Sequence, residues 1–297
     1  MRRERPGLSS LDYAEISLET TTMTSTDAPP ATDQYAIEAM ELTRRFGDMT
    51  AVDHLKLRVS YGEIFGLIGP NGAGKSTTIK MLTTLLAPSS GTATVAGYDI
   101  VQSPAQVRRR IGYVPQMLSA DGALTGKENL MLSAKLYGID RTERNNRVVE
   151  ALQFMGLTES GNKLVKTYSG GMVRRLEVAQ AMLHRPAILF LDEPTIGLDP
   201  LARHTVWDRL LDLRQEFQMT VLITTHDMEE ADELCDQLAI LHWGKIAVVG
   251  RPSDLKTAIG PDATLDNVFA RYSGGSIQEG GSYGDIRQTR RTASRLG

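Results

Sequence analysis

Apolar and polar positions alternate through Ala36-Ile37-Glu38-Ala39-Met40-Glu41-Leu42 and again through Leu55-Lys56-Leu57-Arg58-Val59. That period of two is the mark of half-buried strands and predicts a small antiparallel sheet. The pattern then changes. Glu63-Ile64-Phe65-Gly66-Leu67-Ile68 is a nearly unbroken apolar run, as in a strand covered on both faces, and Thr77-Thr78-Ile79-Lys80-Met81-Leu82 reads as a helix. Beyond it the chain predicts a short strand at Ala93-Thr94-Val95, a helix over residues 104–110 opened by Ser103 and Pro104, and a strand over 111–114.

Residues 117–185 are helical in character. Thr125-Gly126-Lys127-Glu128 is a capping box opening one helix, a second spans about 145–155, and Ser169 is the N-cap of a third over 172–183. Apolar strands return at 188–191, 221–224 and 237–242. Asp199-Pro200 opens a helix whose Val206, Leu210, Leu213 and Phe217 share one face. Parallel strands joined by helices define an α/β fold. Residues 1–34 and 274–297 lack apolar periodicity and are expected to be disordered. Between them the pattern predicts a main domain over 35–250 and a small C-terminal extension over 251–273. Gly250-Arg251-Pro252-Ser253 is expected to break the chain, after which Leu265, Val268, Phe269 and Tyr272 form the stripe of a short amphipathic helix. That stripe needs an acceptor surface, either a second copy or the edge of the main domain.

The chemistry is concentrated in Gly69-Pro70-Asn71-Gly72-Ala73-Gly74-Lys75-Ser76-Thr77, which satisfies the phosphate-binding pattern Gly-x4-Gly-Lys-Ser/Thr. Glycines let successive backbone N–H groups curl around a phosphate, Lys75 brings a point charge to the β/γ-phosphates, and the Ser76 hydroxyl suits Mg²⁺. The run sits between a buried strand and a helix whose N-terminus attracts anions. Asp192-Glu193 ends an apolar strand, where α/β sheets place ligand-binding groups. Asp192 is the candidate for orienting Mg²⁺, and Glu193 the candidate base that polarises the attacking water.

Composition narrows the function. In 297 residues, 33 Lys+Arg stand against 36 Asp+Glu, a net charge of −3 that argues against nucleic acid as the main partner. The single cysteine, Cys235, excludes a disulfide framework and, at helical spacing from Met228 and Ala231, reads as a small core residue. No segment reaches the roughly 18 consecutive apolar residues that span a bilayer, so a membrane role requires a partner subunit.

Ser169-Gly170-Gly171, about twenty residues before the Asp192-Glu193 strand, completes an ordered set of motifs. With it the chain resembles the ATP-binding subunits of ABC transporters over roughly residues 37–249. Tyr168-Ser169-Gly170-Gly171-Met172 stands at the signature motif, Gln116 at the Q-loop, Gly197-Leu198-Asp199 at the D-loop and His226 at the switch histidine. Phe46 stands where the family stacks adenine on an aromatic ring. The resemblance implies a P-loop core with an antiparallel β subdomain and a helical insertion near 117–185. It assigns Gln116 to Mg²⁺ and water, and His226 to the γ-phosphate. It also implies ATP sandwiched between two subunits, identical or homologous, head to tail, with Ser169, Gly170 and Gly171 of one facing Lys75 of the other. A separate membrane-spanning permease would hold the pair peripherally at the cytoplasmic face of the cell membrane.

Tyr168 and Met172 depart from the commoner Leu-Ser-Gly-Gly-Gln form. Together with Thr264-Leu265-Asp266-Asn267-Val268-Phe269 they resemble the drug- and antibiotic-exporting branch typified by daunorubicin exporters. An importer's ATPase subunit shares every catalytic motif and stays open as an alternative. Non-transport ABC ATPases of DNA repair interrupt the chain between P-loop and signature with a long coiled coil, for which residues 75–169 leave no room.

Overall fold

The computed structural model describes residues 34–273, so the expectations for residues 1–33 and 274–297 lie outside it. From Tyr35 the chain forms β1 (Tyr35–Phe46), β2 (Met49–Ser60), β3 (Ile64–Ile68), α1 (Lys75–Leu82), β4 (Ser90–Val95), β5 (Tyr98–Asp99), α2 (Pro104–Arg110) and β6 (Ile111–Val114). Helices α3 (Gly126–Leu136), α4 (Arg144–Phe154) and α5 (Gly170–Met182) follow, then β7 (Ile188–Asp192), α6 (Pro200–Phe217), β8 (Thr220–Thr225) and α7 (Met228–Leu234). The order closes with β9 (Gln237–His242), β10 (Lys245–Gly250), α8 (Pro252–Ile259) and α9 (Leu265–Tyr272).

A six-stranded sheet runs in the order β10-β9-β3-β8-β7-β6, with β9, β3, β8, β7 and β6 parallel and β10 an antiparallel edge. Its two faces are sorted by the period of two. Phe65, Leu67, Ile188, Phe190, Leu222 and Leu241 face one core, shared with α1, α2 and the antiparallel sheet β2-β1-β4-β5. Ile64, Ile68, Leu189, Leu191, Val221 and Ile223 face the other, shared with helices α3 to α9. Burial on both faces is why these strands read as apolar runs rather than as alternations. Gly66 on β3 admits the buried Cys235, whose Sγ would lie 2.6 Å from a Cβ at that position.

The parallel order brings the carboxyl ends of β3, β8 and β7 side by side. Those ends carry the P-loop, His226 and the Asp192-Glu193 pair respectively, so sequence-distant motifs become neighbours. Local signals set the helix starts. The Thr125–Glu128 capping box opens α3, Ser169 Oγ accepts from Met172 N at 3.3 Å to open α5, and Asp199 Oδ1 accepts from Ala202 N at 3.0 Å to open α6.

Two sequence expectations change in detail, and a third, left between two alternatives, is narrowed to one. Phe217, placed with Val206, Leu210 and Leu213, is 53% exposed in the last turn of α6, with an edge contact to Phe154, while Trp207 is buried. The cluster at 250–253 does not simply break the chain, because Pro252 is tolerated at the start of α8, where a missing N–H costs nothing. Thr264 and Asn267 form a capping box on α9, and Leu265 and Val268 join the core beneath the main sheet, packing on α7 and β9 of the same chain. The acceptor for that stripe is therefore the chain's own edge.

Candidate active site

The P-loop is a turn that only glycine can complete. Gly72 and Gly74 take φ of +83° and +106°, and a Cβ on Gly74 would lie 2.5 Å from the Ala51 carbonyl oxygen. Ala73 is tied at both ends, its N–H donating to Pro70 O at 3.1 Å and its O accepting from Gly244 N at 3.0 Å. At the start of α1, Lys75, Ser76 and Thr77 follow without a side-chain cap. First-turn N–H groups have no intrahelical acceptor, so an uncapped helix start behind a glycine turn is a cradle for an anion.

The Lys75 ammonium is 5% exposed and donates back to Gly69 O at 2.7 Å and Pro70 O at 3.3 Å. Its charge partner is Glu193, with Oε1 at 3.1 Å. The other oxygen of Glu193 lies 2.5 Å from His226 Nδ1. One buried carboxylate thus bridges the P-loop lysine and the histidine after β8. Glu193 takes φ of +52°, a region that side-chain-bearing residues enter at a cost, and its N–H is held by Thr224 O at 3.0 Å and Thr224 Oγ1 at 3.1 Å.

Asp192 points the other way along the strand end. Its Oδ1 accepts from Ser76 Oγ at 3.1 Å and from Thr224 Oγ1 at 2.5 Å. Burial, with Asp192 as the smaller cause, pushes the neighbouring Tyr113 phenol up to about 12, so that group stays a neutral hydroxyl. A hydroxyl and a single carboxylate are hard oxygen donors and fit Mg²⁺, which is bound by one or two carboxylates together with phosphate oxygens. Among the described residues no group of three or more His, Cys, Asp or Glu side chains forms an all-protein cage.

Lys75, Ser76, Asp192, Glu193 and His226 therefore converge. Other expected residues stand apart. Gln116 follows β6 with an exposed side chain that forms no bond to Ser76 or Asp192; its backbone O accepts from Arg174 at 2.9 Å. Phe46, 42% exposed, ends β1, and the Arg44 guanidinium lies over its ring at 4.6 Å from the centroid. Ser169 and Gly170 are exposed, and no hydrogen bond or ion pair joins them to the lysine–acid–histidine cluster. Instead the signature turn packs on Leu198 and the first turn of α6 in its own chain, where a Cβ on Gly170 would meet Leu198 at 3.1 Å and one on Gly171 would meet Ala202 at 2.8 Å. The variant Tyr168 has a local reason, since its hydroxyl donates to Ser160 O at 2.6 Å and fills the space beside Gly126.

Sequence reading passed over Thr224, which holds both acids; its signal is a hydroxyl at the end of an apolar strand paired in register with Asp192. It also passed over Glu230, buried on α7, which accepts from Thr195 Oγ1 at 2.7 Å and Trp207 Nε1 at 3.0 Å.

A P-loop on the central strand, a strand-end acid pair, a histidine on the neighbouring strand and a separate Ser-Gly-Gly helix start define an ATPase of the ABC class. The sequence profile of the ABC transporter family matches residues 52–196. The chain is 45% identical over 225 residues to the daunorubicin/doxorubicin resistance ATP-binding protein DrrA of Streptomyces peucetius, covering 76% of this chain and 68% of that one. It is 40% identical over 229 residues to the linearmycin resistance ATP-binding protein LnrL of Bacillus subtilis, with 77% and 73% covered. Among solved structures it matches the ATP-binding subunit of an ABC transporter with a TM-score of 0.71 at 31% identity, covering 80% of this chain and 99% of the other. It also matches a dimeric ATP-binding cassette in a post-hydrolysis state with ADP and Pi, with a TM-score of 0.65 at 25% identity over 72% and 98% of the two chains. The chain belongs to the ABC transporter family, as one of its ATP-binding proteins.

Proposed function

We propose that this chain hydrolyses ATP to power a membrane exporter of drugs, antibiotics or other hydrophobic compounds. The observation that carries the ATPase reading is Glu193, held between Lys75 and His226 at the mouth of the P-loop. The terminal phosphate of ATP competes with that carboxylate for Lys75, and its arrival frees Glu193 to accept the proton of an attacking water. His226 then contacts the γ-phosphate, and Phe46 offers its ring to adenine. Ser76, Asp192 and Gln116 would hold Mg²⁺, which neutralises charge on the phosphate oxygens.

The signature Ser169-Gly170-Gly171 stands outside this cluster in its own chain, which supports completion of each site by a second copy, identical or homologous, set head to tail. Among the described residues no helix is long and apolar enough to cross a membrane, so the transport path belongs to a separate permease subunit that holds the ATPase at the cytoplasmic face. The export assignment rests on the drug-resistance relatives and on the Tyr168/Met172 form of the signature, which resembles that branch.

The test is co-expression with a candidate permease subunit, in cells loaded with a fluorescent anthracycline. ATP-dependent loss of the drug that disappears in the Glu193→Gln variant supports the reading. Uptake instead of efflux would assign the chain to an importer.

A further inference from the structure

Arg174 and Glu177 stand one turn apart on α5 and form an ion pair at 3.0 Å with both side chains buried, at 3% and 2% exposure. Neither touches the P-loop cluster. Both reach the loop that follows β6. Arg174 donates to Pro115 O at 2.8 Å and to Gln116 O at 2.9 Å. Glu177 Oε1 accepts from Ser119 N, from Ser119 Oγ at 3.1 Å and from Ala120 N at 3.3 Å. The far end of the loop is held by α3, where Asn129 Oδ1 accepts from Asp121 N at 2.9 Å and Asn129 Nδ2 donates to Asp121 O at 3.0 Å. Residues 115–121 are thus fastened to two helices of the insertion by side chains that bond backbone groups.

A buried ion pair costs desolvation that its mutual attraction barely offsets, so a well-packed apolar pair would serve stability as well or better. What apolar side chains cannot do is hold two carbonyls and two N–H groups in fixed places. The guanidinium fork does this with geometry that a lysine cannot copy. Desolvation works against the charge on Arg174, and Glu177, Glu230 and Asp192 together sustain it.

We infer that Arg174 and Glu177 are positioning residues that make the Gln116 loop and the signature helix one rigid body. The N-terminus of α5 is Ser169-Gly170-Gly171, so any movement of Gln116 toward nucleotide carries the signature with it. The inference rests on the two-copy reading above and adds the device that reports one copy's nucleotide to the surface its partner uses.

The experiment compares wild type with Arg174→Lys and Glu177→Gln in four readouts: ATP affinity, kcat against KM, ATP-driven dimerisation in a Glu193→Gln background, and amide exchange over 115–121. The expected result for Arg174→Lys is ATP affinity within about twofold, with kcat and dimerisation down about tenfold, the loss of roughly one charge-assisted hydrogen bond in the closed state. ATP-dependent protection over 115–121 disappears in the same variant. Unchanged kcat and dimerisation, or an equal fall in ATP affinity, would overturn the inference, because a merely structural role lowers every readout with the folded fraction. If Arg174→Lys fails to fold, Glu177→Gln, which keeps its volume and one acceptor oxygen, carries the same comparison. If the Glu193→Gln protein with Arg174 and Glu177 intact forms no ATP-driven dimer, the two-copy reading fails. ATP-dependent exchange over 115–121 that is present in wild type and unaltered in both variants overturns the clamp independently.

Discussion

The Glu193 carboxylate lies 3.1 Å from the Lys75 ammonium, so the acid proposed as base and the cation proposed for phosphate neutralise each other when no nucleotide separates them. Such a contact keeps both buried groups paired. It also means that Glu193→Gln and Lys75→Ala should behave in opposite ways toward nucleotide.

Glu193→Gln removes the base and the charge that competes for Lys75. Nucleotide affinity should be unchanged or tighter, while kcat falls by about 10²–10⁴-fold, the contribution of a positioned base. Binding of ATP measured by titration, beside steady-state hydrolysis, checks the split. Turnover at the wild-type rate would remove Glu193 from that role.

Lys75→Ala should abolish tight ATP binding, because the phosphate loses its cation and Glu193 is left to repel it. An isothermal titration showing wild-type affinity would count against the P-loop assignment. His226→Ala, by contrast, leaves Lys75 paired with Glu193 and should lower kcat more than affinity.

Asp192, Glu193 and His226 were legible in the sequence because each sits where an apolar strand ends, and Lys75 and Ser76 because the phosphate-binding pattern names them; parallel order then makes the strand ends neighbours. The helix caps at Thr125, Ser169 and Thr264 were legible for a related reason, since a capping signal is complete within four residues. Helix α8 was not legible, because Pro252 has the same letter whether it only ends a strand region or also opens a helix; only the packing of Leu255 decides. The Arg174–Glu177 clamp was not legible at all. Its partners are backbone groups of residues 115–120, and a carbonyl or an amide leaves no mark on sequence.

Sites shared between copies make a mixing experiment decisive. Subunits carrying Lys75→Ala, mixed with subunits carrying Ser169→Arg, should form hybrids in which one composite site holds both defects and the other holds neither. Hydrolysis should recover on mixing, up to about a quarter of wild type for random pairing with independent sites. No recovery, in the presence of demonstrated hybrids, would argue for self-contained sites.

Glu230 makes a pH prediction. Burial raises its carboxyl above the ordinary 4.5, against hydrogen bonds from Thr195, Thr225 and Trp207 that favour the ionised form. A carboxyl whose folded pKa is raised binds its proton more tightly when folded. It therefore contributes stability that is full below the unfolded pKa and is lost as pH rises through the folded value. The stability of wild type relative to Glu230→Gln should accordingly fall from about pH 4.5 upward and level off above the raised pKa. Urea unfolding of both proteins across that range measures the difference, and a flat difference would mean the folded pKa is ordinary.

The last helix bears on stability before it bears on transport. Leu265 is 2% exposed and Val268 fully buried, in the same core as Ile223, Leu234 and Leu238, while Phe269 and Tyr272 lie partly buried against it. No bond joins α9 to the P-loop cluster, whose residues come from the start of α1 and from the ends of β7 and β8 with the residues just after them. Leu265→Ala should cost about 2–4 kcal/mol through lost burial and the cavity left behind, and Val268→Ala somewhat less, as fewer atoms are removed. Asn267→Ala breaks only an exposed capping box and should cost about 1 kcal/mol. ATP affinity of the folded fraction should be unchanged in all three. We expect deletion of residues 261–297 to strip cover from α7 and β9, lowering the unfolding midpoint and weakening dimerisation or transport ahead of ATP affinity. A deletion variant that kept its unfolding midpoint but lost nucleotide binding would place the segment in the site itself. Denaturant titration followed by ATP titration on the same preparation separates the two outcomes.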